Sequence, residues 1–269
     1  MTNDSHIHLF ERGFKGDLYP NAEIDEYENI RKLGRIDSAL VIGYEGNERY
    51  KGNNSYILKL AMAHPWIHPL GFIDPSSNSA NIEIVECLES GFSGCALYLS
   101  EKSERLSENV ISALHRIGER GAILSINANP TTIIHFRDQF AQLSTCKILI
   151  SHMGLPGSES LKTQAQIRER IGPLLDLAKL PNLFVKLSGF YAVDPIYPYI
   201  GARPYVCELL ETFGASRLMW GSDYSPSMGY GTQDQVATVP KWITEEMAED
   251  EYESVTVLNL QDALITSAR

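Results

Sequence analysis

The chain has 269 residues, 43% hydrophobic and 21% charged, a balance typical of a soluble globular protein and long enough for a large buried core. A formal charge of −11 argues against a nucleic-acid or anionic-membrane partner, although a small anion can still bind a local arginine cluster. Cys87, Cys95, Cys146 and Cys207 follow neither metal-ligand nor disulfide spacing, and no apolar run approaches the roughly 18 residues of a membrane span. With no basic and apolar signal region at the N-terminus either, the expected setting is the cytoplasm, with reduced thiols.

DSHIHLF (4–10) is the first predicted strand, and its period of two turns His6 and His8 to one face. SALVIGY (38–44) is the second, followed by the helical stretch NSYILKLAMAH (54–64). HPLGFID (68–74) precedes the helical NIEIVECLES (81–90), and SGCALYL (93–99) precedes SENVISALHRIGER (107–120). Ser107 is the N-cap of that last helix and Gly121 its stop. AILSINA (122–128) and KILISHMG (147–154) are strands five and six, and IRERIGPLLDLAKL (167–180) is helical. LFVKLSG (183–189), the helix RPYVCELLETFG (203–214) and RLMWGSD (217–223) complete the series.

Most of these strands are near-continuously apolar, as expected where helices cover both faces of a parallel sheet. Eight strands a few tens of residues apart, each followed by helix, predict an α/β (β/α)8 TIM barrel as a single domain over 1–269. A doubly wound open sheet is the rival, but its Gly-rich first turn has no counterpart. The acidic tail ITEEMAEDEYESV after Trp242 reads as helix, either solvated or covering the outer wall or a subunit contact.

Barrel chemistry gathers at the C-terminal ends of the strands. His6 and His8 belong to strand 1, Asn127 ends strand 5, His152 ends strand 6, Lys186 lies in strand 7 and Asp223 ends strand 8. A closed barrel sets strand 1 beside strand 8, so these groups converge. His64, His115 and His135 fall in helical stretches and His68 opens a strand at the opposite end, so none of the four is a site candidate.

HxH on strand 1, ISHMG after strand 6 and WGSDYSP after strand 8 resemble the amidohydrolase superfamily, in its amidohydrolase-2 branch. NLFVKLSGF (182–190) and RPYVCELLETFGASRLMWGSDYSP (203–226) are similar to that branch's sugar-lactonase and pyrone-dicarboxylate-lactonase side. The chain departs from the branch at GCALY, where Ala96 and Tyr98 replace the Lys and His of GxKxH. Asn127 stands where metal-dependent decarboxylases carry a strand 5 histidine, Ser151 where lactonases more often carry Asp, and VLNLQDAL lacks the usual GNA pattern. A binuclear site bridged by a carbamylated lysine is therefore not expected.

The resemblance implies lactone or cyclic-ester hydrolysis, with Asp223 as general base and His152, His6 and His8 as the other catalytic groups. One divalent ion, zinc or manganese, held by His6, His8 and Asp223, is compatible with the residues, and so is catalysis without a metal. A helix N-cap is the bland alternative for Asp223. Lys186 either holds an acidic substrate group or pairs with a neighbouring carboxylate. Asn127, Tyr98, Tyr191, Tyr197 and Arg49 are substrate-binding candidates; Tyr191, Tyr197 and Tyr199 share the loop 190–204, while Arg12 and Arg203 join Arg49 as carboxylate clamps. SMGYGTQ (227–233) is either a flap or an ordinary loop. Two other functions stay open: metal-dependent decarboxylation of a small unsaturated or aromatic acid, and an inactive barrel that only binds a small molecule. The partner expected is a small-molecule substrate, with monomer and homodimer both open.

Overall fold

The structure, a computed structural model, describes residues 1–158 and 163–267; the other positions of the expected 1–269 domain lie outside the described residues. Eight parallel strands follow one another in sequence order around the sheet: β1 (Thr2–Ile7), β2 (Ile36–Ile42), β3 (Ile67–Phe72), β4 (Gly94–Tyr98), β5 (Ile123–Asn127), β6 (Lys147–Ile150), β7 (Leu183–Leu187) and β8 (Leu218–Trp220). Helices α1 (Ala22–Gly34), α2 (Asn53–Ala63), α3 (Ala80–Glu89), α4 (Glu108–Glu119), α5 (Pro130–Gln142), α6 (Gln164–Leu175) and α7 (Arg203–Phe213) lie between them. Four shorter helices follow β8: α8 (Gln233–Val236), α9 (Lys241–Glu245), α10 (Glu249–Glu253) and α11 (Asn259–Ser267). Consecutive strand order is that of a (β/α)8 barrel; a doubly wound sheet would reverse direction partway along. No helix among the described residues is long and apolar enough to cross a membrane.

Local chemistry sets the helix starts. The Ser107 side chain accepts from the Val110 amide at 3.3 Å, the expected cap of α4. Asn129 accepts from the Thr132 amide at 2.8 Å, and Pro130 opens α5 where its missing N–H costs nothing.

The seam between β1 and β8 is thin and holds the site. Its backbone links are the Asp223 amide donating to the His6 carbonyl at 2.9 Å, the His8 amide donating to the Tyr224 carbonyl, and a bridge between Ile7 and Tyr224. In β1 the register against β2 slips by one residue between Asp4 and Ile7. Such a bulge re-aims side chains. Here it leaves Asp4 beside Tyr27 of α1 and Ile7 in the core under the helices, while His6 meets Lys186 of β7.

A second apolar cluster joins Leu40, Leu70, Ile123, Leu149 and Met219 of the strands to Leu260 and Ala263 of α11. Asn259 donates to the Ala215 and Leu218 carbonyls, at 2.8 and 2.7 Å, where β8 begins. The segment VLNLQDAL therefore plugs the end of the barrel opposite the site. The acidic tail ahead of it breaks into α9 and α10 instead of forming one helix.

Candidate active site

Beyond the bulge the expected alternation holds: His6 and His8 face the same way although β1 ends at Ile7, and their Nε2 atoms lie 3.2 Å apart. Asp223 Oδ1 lies 3.7 Å from His6 Nε2 and 3.9 Å from His8 Nε2. On its other side, Asp223 Oδ2 accepts from the Tyr191 hydroxyl at 2.7 Å and lies 3.6 Å from His152 Nδ1. The Asp223 side chain is thus turned into the site and is not acting as a helix cap.

Both His152 and Asp223 have left-handed backbones, with φ of 53° and 56°. Such strain in non-glycine residues gathers at functional sites. Two glycines let the parts approach. A Cβ at Gly189, itself at φ +63°, would lie 2.6 Å from His152 Nδ1, and one at Gly221 would lie 2.9 Å from the His6 amide nitrogen.

The surroundings set the proton positions. His8 Nδ1 lies 2.9 Å from the Ile42 carbonyl, which only accepts, so Nδ1 carries the hydrogen and Nε2 presents a lone pair. His6 Nδ1 is flanked by Lys186 Nζ at 3.2 Å and Ser151 Oγ at 3.4 Å, and Lys186 also donates to Ser125 Oγ at 2.8 Å. His152 Nδ1 meets Ser188 Oγ at 3.0 Å.

Burial dominates the electrostatics. It lowers His8 to about 4 and His152 to about 3, and takes His6 well below its usual value, with the nearby Lys186 charge adding to each shift. All three imidazoles are therefore neutral near pH 7, and their close approaches to Asp223 are not ion pairs. Burial also lowers Lys186 to about 7 and raises Asp223 to about 8, the latter opposed by the Tyr191 hydrogen bond.

Asp223 Oδ1 is buried and has no hydrogen-bond partner among the described residues. Together with two imidazole nitrogens it forms a group whose ligand atoms all lie within 4.8 Å of one another. Ligands on a tetrahedral zinc are about 3.3 Å apart, so the observed 3.2, 3.7 and 3.9 Å need only small adjustments. The donor set and the orphaned oxygen fit one divalent ion.

The remaining candidates are spread around this cluster. Tyr98 and Asn127 pair in register at the ends of β4 and β5. Tyr191 stacks on Tyr230 at 4.4 Å, and Tyr197 packs edge-on against Tyr199 at 5.4 Å with no hydrogen bond to the cluster among the described residues. Arg49, with Arg12 and Lys51, borders a separate cavity of about 240 Å³ beside Phe10, whose ring stacks 5.9 Å from His8. Arg203 donates from Nε to Glu246 at 2.7 Å. Lys186 is fully buried, with its amine 3.2 Å from His6 Nδ1 and donating to Ser125 Oγ at 2.8 Å, so its hydrogen bonds go to these groups and not to a carboxylate. Two further polar groups were not among the candidates. Ser188 follows Lys186 in VKLSG and is signalled only by that motif; Asp4 opens DSHIHLF and has the signal of a charged residue in a buried strand.

The chain matches the amidohydrolase-2 family model, described as Amidohydrolase, over residues 4–259. An L-fucono-1,5-lactonase from Burkholderia ambifaria is 23% identical over 241 residues, covering 83% of this chain and 80% of the relative. An amidohydrolase from Burkholderia multivorans, solved with bound zinc, superposes with a TM-score of 0.79 at 15% identity, over 98% of this chain and 99% of that one. A putative 2-pyrone-4,6-dicarboxylic acid hydrolase from Pseudomonas putida superposes with a TM-score of 0.77 at 19% identity, over 98% and 97% of the two chains. The family match runs from the first strand into the helix that plugs the barrel, and on it this chain belongs to the amidohydrolase-2 family of enzymes.

Proposed function

We propose that this protein hydrolyses a lactone or related cyclic ester by attack of water, with Asp223 as the general base. The observation that carries the reading is Asp223 Oδ1, a buried carboxylate oxygen without a hydrogen-bond partner among the described residues, facing the Nε2 atoms of His6 and His8. A lactonase and a pyrone-dicarboxylate hydrolase among the similar proteins support the substrate class.

In this reading Asp223 takes a proton from water as its oxygen bonds to the ester carbonyl carbon. The ring C–O bond then breaks, and Asp223 returns the proton to the leaving alkoxide, giving a hydroxy acid one water heavier. With Ser188 Oγ 3.0 Å from His152 Nδ1, a serine that donates there would leave the ring proton on Nε2 for the carbonyl oxygen. Tyr191 holds the far oxygen of Asp223 so that Oδ1 stays turned to the water. Asn127 and Tyr191 border the substrate, while Arg49 and Tyr197 meet its outer substituents. His6, His8 and Asp223 would hold one zinc or manganese ion. Such an ion lowers the pKa of water and polarises a carbonyl when bound.

The substrate class is tested by proton release over sugar lactones, muconolactones and pyrone carboxylates, with mass analysis of the products. Carbon dioxide release in place of a mass gain of one water would replace hydrolysis by decarboxylation.

The metal assignment has its own readout. Protein stripped by a chelator is expected to take up about one equivalent of zinc, and His8→Ala under a tenth of that. Equal uptake by both would remove His8 from the ligand set. The pH dependence has a definite sign. Only the carboxylate form of Asp223 accepts a proton, and burial holds that group at about 8. In metal-free protein, kcat/KM should therefore fall as pH drops below 8, about tenfold per unit, and zinc should move that limb to lower pH.

A further inference from the structure

Tyr98 ends β4 on the inward face, two residues beyond Ala96, whose small side chain lies in the apolar cluster inside the barrel. Its ring is held by Tyr44 at 4.7 Å and Phe72 at 5.9 Å, and these two contact each other at 5.6 Å. Aromatic side chains from the ends of β2, β3 and β4 thus form one wall. The Tyr98 hydroxyl is enclosed at that wall, without a hydrogen-bond partner among the described residues.

An enclosed phenol without an acceptor is destabilising, and phenylalanine would fill the same wall without that cost. A hydrogen-bond acceptor on a bound substrate would satisfy this hydroxyl. Burial, and next the charge of Asp223, hold the phenol well above its ordinary pKa, so it keeps its proton and can only donate towards an anionic oxygen. Tyr98 stands at the C-terminal end of β4 in register with Asn127, at the mouth of the barrel and across it from β8, the strand that Asp223 follows. A carbonyl attacked by water on Asp223 has its oxygen directed away from that carboxylate, towards the donors that face it.

We propose that the Tyr98 hydroxyl donates a hydrogen bond to the carbonyl oxygen of the bound cyclic ester and strengthens it as water adds. The assignment rests on the lactone-hydrolysis reading above. It makes Tyr98 a catalytic residue at a strand end where this chain has no metal ligand. The β4 side of the site then acts through a neutral donor, opposite the His6, His8 and Asp223 group.

The test is Tyr98→Phe, which keeps the ring and its packing, assayed beside wild type on whichever lactone the wild type hydrolyses. The expected result is a fall in kcat of about 10²-fold, the loss typical of one oxyanion donor, with KM within threefold. The melting temperature should hold or rise, because an unpaired buried hydroxyl has been removed. A raised KM at unchanged kcat would make the hydroxyl a ground-state contact to another part of the substrate and overturn the proposal. Unchanged kcat and KM would overturn it too, while leaving the lactonase reading intact. A wild type inert towards every lactone would remove both.

Discussion

Asp223→Asn should lower kcat for lactone hydrolysis by about 10²–10⁴-fold while the barrel stays folded, the span expected for loss of a positioned general base. In free energy that is about 2.7 to 5.4 kcal/mol of transition-state stabilisation. The amide has the shape of the carboxyl, and its oxygen can still accept the Tyr191 hydroxyl that now reaches Oδ2 at 2.7 Å. What it lacks is a basic oxygen at the position of Oδ1, beside the paired Nε2 atoms. Substrate affinity should change much less than turnover, because most binding contacts lie elsewhere. The same variant separates an enzyme from a barrel that only binds. In a binder Asp223→Asn would leave ligand affinity near wild type and there would be no turnover to lose. An enzyme whose kcat stayed within threefold of wild type would exclude Asp223 as the base.

That Asp223 could be picked out from sequence reflects how barrels place chemistry. Apolar runs mark the strands, and a polar residue just past such a run points into the mouth. His6, His8, His152 and Asp223 were legible on that rule. The strand ends were less so: HMG after β6 and GSD after β8 read as extended but have left their ladders, and it is this departure that lets His152 and Asp223 adopt left-handed backbones. Helix α1 was expected after strand 1, but its bounds were not read, because six of the thirteen residues of AEIDEYENIRKLG are charged and it buries chiefly Ile24, Tyr27 and Ile30. The bounds of helix α5, which opens on Pro130, were likewise not read. Lys186 was visible as an oddity in an apolar strand, but its partners were not. His6 and Ser125 are 180 and 61 residues away, and only closure of the barrel brings them to its amine.

Asp4 extends that point to stability, and Asp4→Ala should lower the melting temperature by on the order of 10 °C. β8 is three residues long, so the seam it forms with β1 relies on few backbone bonds. Asp4 reinforces it from a fully buried position: Oδ1 accepts the Ser222 amide at 2.9 Å and the His6 amide at 3.1 Å, and Oδ2 accepts the Tyr27 hydroxyl at 3.0 Å. One carboxyl thereby joins both sides of the seam to α1. Burial pushes it up to about 6 even though these bonds favour the charged form. Alanine would strand three buried donors, at about 1–3 kcal/mol each before relaxation, and a net loss of roughly 3 to 5 kcal/mol corresponds to such a shift for a chain of this size. Asp4→Asn separates the bonds from the charge. Its oxygen can take both amides, and the Tyr27 hydroxyl can turn to accept from the new NH₂ group, so stability should stay within about 1 kcal/mol of wild type. If thermal melts showed both variants equally destabilised, the charge and not the bonding pattern would be holding the seam. If neither moved, the backbone links alone would close the barrel. Under the expected result, the Ala variant should also lose zinc uptake, because the His6 amide held by Asp4 and the Asp223 amide held by the His6 carbonyl lie on the same seam.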